Sequence, residues 1–134
     1  MSNEGGTRRA LAASLRAQAG EFVRSQRLEE ALMLYERAEQ IARRENDWQE
    51  LQHILGDKAG AYRWRGDFAR AMEILREQET VVERLADVDG MQSCYGNQAV
   101  LLREMAIESE TDDQLYEALR LAEKQLDVSV RAGM

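Results

Sequence analysis

Apolar side chains recur at three- and four-residue intervals along most of the chain, the spacing that lines one face of an α-helix. Three stretches share one pattern: Leu28, Ala31, Leu32, Tyr35; Phe68, Ala71, Met72, Leu75; and Leu115, Ala118, Leu119, Ala122. With the intervening segments, the periodicity predicts six helices, near 7–25, 28–45, 48–65, 67–86, 90–109 and 112–132. Asp47-Trp48-Gln49-Glu50 has the form of a capping box that opens the third helix, and Thr111-Asp112-Asp113-Gln114 does the same for the sixth. Gly66-Asp67 supplies a turn between the third and fourth. Connections this short make the helices of each pair antiparallel neighbours. Trp48, just inside a helix start, reads as a packing staple.

The pattern is an internal repeat. A shift of 40 residues aligns eight identical pairs, among them Leu11/Leu51, Ala19/Ala59, Ala31/Ala71, Glu39/Glu79 and Asp47/Asp87. A second shift of 40 pairs Gly56 with Gly96 and Arg63 with Arg103. Beyond Asp67 the shift becomes 47, pairing Ala71 with Ala118, Gln78 with Gln125 and Val81 with Val128. The units are then about 7–46, 47–87 and 88–134, after a disordered segment 1–6. The seven extra residues of unit three are nearly two helical turns, so they lengthen its helices and keep the apolar face in register. Small Ala59, Ala71, Ala99 and Ala118 let helices approach closely, while Tyr62, Phe68, Leu75 and Leu102 fill the adjacent space. Stability in such a stack is spread over neighbouring pairs. The expected fold is all-α, a right-handed solenoid of about three antiparallel helix pairs in a single domain.

Composition narrows the function. The 134 residues contain no proline, 44% hydrophobic and 32% charged residues, and a net charge of −7. The acidic balance argues against nucleic acid or an anionic membrane as partner. No apolar run approaches the ~20 residues that span a bilayer. The start, Met1-Ser2-Asn3-Glu4-Gly5-Gly6, lacks the apolar centre of a signal peptide. The lone Cys94 has no internal disulfide partner and suits a reducing, cytoplasmic setting. A single histidine, His53, and the absence of a glycine-rich phosphate loop, HExxH or CxxC leave little for catalysis. The acids Glu108, Glu110, Asp112 and Asp113 read as a solvated connector before a helix start. The chain is expected not to be an enzyme and to need no cofactor or metal.

Ala59-x-x-Tyr62-x-x-x-Gly66-Asp67-Phe68-x-x-Ala71 resembles the tetratricopeptide repeat signature, in the longer form of about 40 residues found in kinesin light chains and bacterial arrays. Gly96-Asn97-Gln98-Ala99-Val100-Leu101-Leu102 is similar to the first-helix signature of those arrays. Unit one has Gln26-Arg27-Leu28 where Gly-Asp-Phe is the pattern, and unit three lacks the turn glycine. The resemblance implies a protein-interaction module, part of a larger signalling or regulatory protein or assembly. In such modules the first helices of the pairs line a concave groove that holds a partner's peptide or helix.

Carried over, the groove takes Arg16 and Arg24 from unit one, His53, Asp57, Arg63 and Trp64 from unit two, and Asn97 and Arg103 from unit three. Positions 53, 56, 57, 60, 63 and 64 share one helical face that is not an apolar seam. Four arginines on this surface make an acidic peptide the preferred partner. Trp64 is either core filler or an anchor, Asn97 can grip a peptide amide, and Gly56, Gly60 and Gly96 either pack closely or make room for a ligand backbone. The rival reading is a self-associating helical scaffold with no groove. It draws on Leu121 and Val128, a stripe of the last helix with no following helix to cover it. That stripe implies a homodimer through the C-terminal helix or the continuation of a longer array.

Overall fold

The computed structural model describes the backbone of residues 4–109 and 112–133, and side chains within 6–108 and 115–133. It is all-helical: α1 (Glu4–Arg24), α2 (Leu28–Arg44), α3 (Trp48–Arg65), α4 (Phe68–Leu85), α5 (Val88–Ser109) and α6 (Asp112–Arg131), with no strand among the described residues. α1 starts at Glu4, so residues 4–6, expected to lie in a disordered segment, are helical; Met1-Ser2-Asn3 lie outside the described residues. Thr111, the expected cap of α6, and Glu110 also lie outside them. α5 reaches Ser109, and α5 and α6 span 22 and 20 residues against 18 each for α3 and α4, so the additional residues of unit three extend its helices.

One turn closes each of the first four helices, at a spacing of 20 residues. Gln26, Asn46, Gly66 and Ala86 have φ of 62°, 54°, 86° and 52°. In each turn the residue with positive φ donates its N–H three residues back, to Val23, Arg43, Arg63 and Glu83. The next residue donates five back, to Phe22, Ala42, Tyr62 and Val82. This is the Schellman arrangement, which satisfies carbonyls left open at a helix end. Only one of the four positions is a glycine, yet the geometry is the same, so the missing turn glycine of unit one changes the cost and not the path; the turn within unit three lies outside the described residues.

These turns also explain how the next helix starts. Asp47 accepts the Glu50 N–H at 3.2 Å and Asp87 the Gly90 N–H at 3.0 Å. A complete capping box would return the Glu50 carboxylate to the Asp47 N–H. That N–H is already bonded to the Ala42 carbonyl at 2.9 Å, so Glu50 is released to meet Arg16.

The chain divides into two compact units, one up to Asp67 and one from Phe68. The division falls inside the second sequence repeat, so each unit holds one complete pair and one further helix. In the first, Arg8 of α1 meets Glu45 just beyond α2 at 3.2 Å, as antiparallel neighbours must. α3 packs back along α2, with Lys58 against Glu39 at 2.9 Å and Arg65 against Glu29 at 2.6 Å. The core is Ala12, Leu15, Ala19, Ala31, Leu32, Tyr35 and Ala38 with Leu51, Ile54, Leu55 and Ala59. In the second unit α5 runs antiparallel to α4 and to α6: Gln98 reaches Glu79 at 2.9 Å, and Gln125 reaches the Gln92 carbonyl at 2.8 Å. Ala71, Met72, Leu75, Val82, Cys94, Tyr95, Leu101, Leu102 and Ala118 are buried there.

The 40-residue shift relates the two units atom for atom at one place. Glu39 and Glu79 are equivalent, as are Lys58 and Gln98. Each pair is joined by a 2.9 Å bond from a buried side-chain nitrogen to a glutamate oxygen. Among the described residues no helix is long and apolar enough to cross a membrane.

Candidate functional site

The outer face of α3 carries half of the expected groove residues. His53, Asp57, Arg63 and Trp64 are exposed and Gly56 and Gly60 are half-buried, while Leu51, Ile54, Leu55 and Ala59 on the opposite side are in the core. Trp64 is 70% exposed, which resolves its two readings in favour of a surface residue. A Cβ built on Gly60 would meet nothing within 4 Å, so close packing does not explain that glycine. Trp48, at the start of the same helix, is also exposed, 42%, and is not an enclosed staple.

Arg16 of α1 is half-buried and bridges two acids of α3, Glu50 at 2.8 Å and Asp57 at 3.2 Å. Burial lowers the affinity of its guanidinium for a proton, but Glu50 and then Asp57 outweigh that and raise it. The resemblance implies an open basic strip that includes Arg16; in the folded unit its charge is already balanced, because Glu50 is freed from the capping box. Arg24 lies over Gly20 and pairs with Glu21, with both side chains largely in water. A pair this exposed is screened by water and adds little to stability.

In the second unit Asn97 and Arg103 are exposed on α5. Gly96 differs from Gly60. A Cβ there would stand 2.5 Å from the Gln125 amide nitrogen, so this glycine admits the α6 side chain that binds Gln92. Gln125 sits in the middle of the stripe expected to be open, and its bond to α5 turns that stripe inward. Leu121 and Val128 are accordingly half-buried, and Leu121 lines a cleft with Met72 and Leu102. The apolar residues of α6 that do stand open are Leu115, Tyr116, Leu119, Leu126 and Val130.

The cleft has a volume of about 440 Å³ and is bordered by Arg76, Glu79, Arg120 and Lys124. Sequence reasoning missed it, because its walls come from α4, α5 and α6 and no local pattern brings them together. Lys124 is held over the Tyr95 ring, 4.2 Å from its centroid, and 3.7 Å from Glu83. Cys94 is buried and donates to the Leu75 carbonyl at 3.2 Å; burial pushes its thiol up to about 12, so it stays protonated and unreactive near neutral pH. Among residues whose side chains are described, no group of three His, Cys, Asp or Glu is arranged to hold a metal. No protein-family model matches the sequence, and no curated protein sequence matches it either.

Proposed function

We propose that the chain is a protein-interaction module of the tetratricopeptide kind, in which the α1–α3 face of the first unit holds a peptide or helix of a partner protein. The observation that supports this reading is the α3 face, where an exposed tryptophan stands on the same side as a glycine with open space above it. Exposed tryptophans of this sort anchor interfaces, because the ring contributes a large apolar area at little entropic cost. A partner backbone can approach at Gly60, with Trp64 against its apolar side chains and His53, Asp57 and Arg63 as polar contacts. Arg16 is engaged with Glu50 and Asp57 and Arg24 with Glu21, so an acidic partner competes with these acids for the arginines of the face. In this reading the module belongs to a larger regulatory assembly in the cytoplasm and performs no catalysis.

Selection from a displayed peptide library tests it. Selected peptides are expected to be acidic with at least one large apolar residue, to bind more weakly as salt rises, and to lose tenfold or more in affinity, about 1.4 kcal/mol, on Trp64→Ala. Peptides that bind equally to wild type, Trp64→Ala and Arg63→Glu would refute the assignment of this face.

A further inference from the structure

We infer that the open face of α6 joins two copies of this chain as an antiparallel, two-fold helix pair. The surface is distinct from the α3 face, and the inference starts from what covers the equivalent face elsewhere. α2 presents Glu29, Glu36 and Glu39 to α3, through Arg65 and Lys58, and Leu32 shares that helical face. α4 presents Glu79, Glu83 and the Leu75 carbonyl to α5, through Gln98, Tyr95 and Cys94, and Met72 shares that face. The 40- and 47-residue shifts carry this face onto Tyr116, Leu119, Glu123, Leu126 and Val130 of α6. Leu32 is 7% and Met72 6% exposed, whereas Leu119, Leu126 and Val130 are 61%, 65% and 67% exposed. Two instances of the face receive an antiparallel helix; the third stands open.

The side chains on this face select the occupant. Glu39 and Glu79 each receive a buried nitrogen from the covering helix, Lys58 or Gln98, and Glu83 receives the Tyr95 hydroxyl. α6 has Leu126 in place of those first two glutamates and Val130 in place of Glu83. A covering helix of the internal kind would bury an ammonium or amide against leucine, without a partner, which is costly. The occupant must bring apolar groups to those points. α6 does so itself, since its stripe of Leu115, Leu119, Ala122, Leu126 and Val130 reads nearly the same in both directions. Reversed about a point between Ala122 and Glu123, Leu119 meets Leu126 of the second copy and Leu115 meets Val130. The small Ala122 falls at the crossing, where helix backbones come closest.

Charge agrees with this register. Arg120, Glu123 and Asp127 share one flank of the stripe, and the two-fold places Arg120 level with the stretch between Glu123 and Asp127 of the second copy, and the reverse. The open side chains form an apolar strip on the order of 500 Å² per copy, of the size that commonly marks an interaction site. Doubled, it reaches the ~1,000 Å² that a specific interface requires. A two-fold contact of this type closes on itself and does not propagate.

Light scattering coupled to size exclusion, at roughly 50 µM so that a Kd near 1 µM is saturated, provides the test on the 134-residue chain. Wild type is expected to elute at twice 15.3 kDa, and Leu119→Glu/Leu126→Glu at 15.3 kDa with unchanged helicity. If that variant does not fold, disulfide trapping replaces it. Ala122→Cys, at the crossing, should oxidise to a linked dimer while Glu117→Cys, away from the stripe, should not; the buried Cys94 thiol stays out of the reaction. A monomeric wild type overturns the proposal. So does a dimer that survives the double glutamate variant, an open-ended series of larger species, or equal cross-linking of the two cysteine variants.

Discussion

Removing the Lys58 amine is the sharpest test of how α3 is held to α2. The ammonium is buried and bonded to Glu39 at 2.9 Å, with Glu36 4.0 Å away. Breaking a fully buried pair by deleting one partner costs ~3–5 kcal/mol. Glu39 keeps some contact with water and retains Arg43 at 2.9 Å, so Lys58→Ala is expected to cost less, about 2 kcal/mol, including the lost packing of the lysine stem. In a chain of this size that lowers the melting temperature by roughly 5–10 °C. Lys58→Gln reproduces the bond that Gln98 makes to Glu79 at the equivalent place, also at 2.9 Å, and should lose less than about 1 kcal/mol. Acid supplies a second readout. Burial alone would raise the Glu39 carboxyl, but Lys58 and then Arg43 outweigh it and hold its pKa below the ordinary value. A depressed carboxylate stabilises the fold above its unfolded pKa, and that contribution disappears as pH falls through the folded value. The gap between wild type and Lys58→Ala should therefore be complete at about pH 7 and narrow progressively below roughly pH 4 to the part due to the lysine stem. Thermal melts followed by circular dichroism measure both. A glutamine variant as damaged as the alanine one, or a gap of the same size in acid as at neutral pH, would refute the reasoning.

Ala86→Gly relieves a non-glycine residue at φ 52° and should stabilise by roughly 0.5–1 kcal/mol in the same melts; a destabilised variant would contradict the turn geometry. Gly60→Ala adds a Cβ where there is open space and should raise helix stability by up to ~1 kcal/mol while weakening peptide binding, a combination that a purely structural glycine would not give. Ala71→Leu inserts three carbons at a fully buried position and should cost on the order of 1–3 kcal/mol, visible as a lower urea midpoint; an unchanged midpoint would put the helix register in error.

Much of the fold was legible because it is local. The apolar spacing placed each helix to within about three residues, and the alanines that recur at 31, 71 and 118 are all buried. The turns at Gln26, Asn46 and Ala86 were harder to read, since positive φ is signalled by glycine and only Gly66 carries it. The fate of Arg16 depended on a hydrogen bond elsewhere: the Asp47 N–H is consumed by the preceding turn, which frees Glu50 to neutralise the arginine. α6 has two apolar stripes of similar strength. Periodicity does not reveal which one a neighbour covers, because the bond from Gln125 to α5 that decides it is non-local.

Backbone amide chemical-shift mapping tests the central claim, that this is an interaction module working through α3, most directly. On titration with a selected acidic peptide, the shifts should concentrate on His53, Asp57, Gly60, Arg63 and Trp64, with the Trp64 indole N–H among the largest, and should vanish for Trp64→Ala. Shifts confined to other surfaces, or an α3 face that stays unperturbed at saturating peptide, would contradict the account.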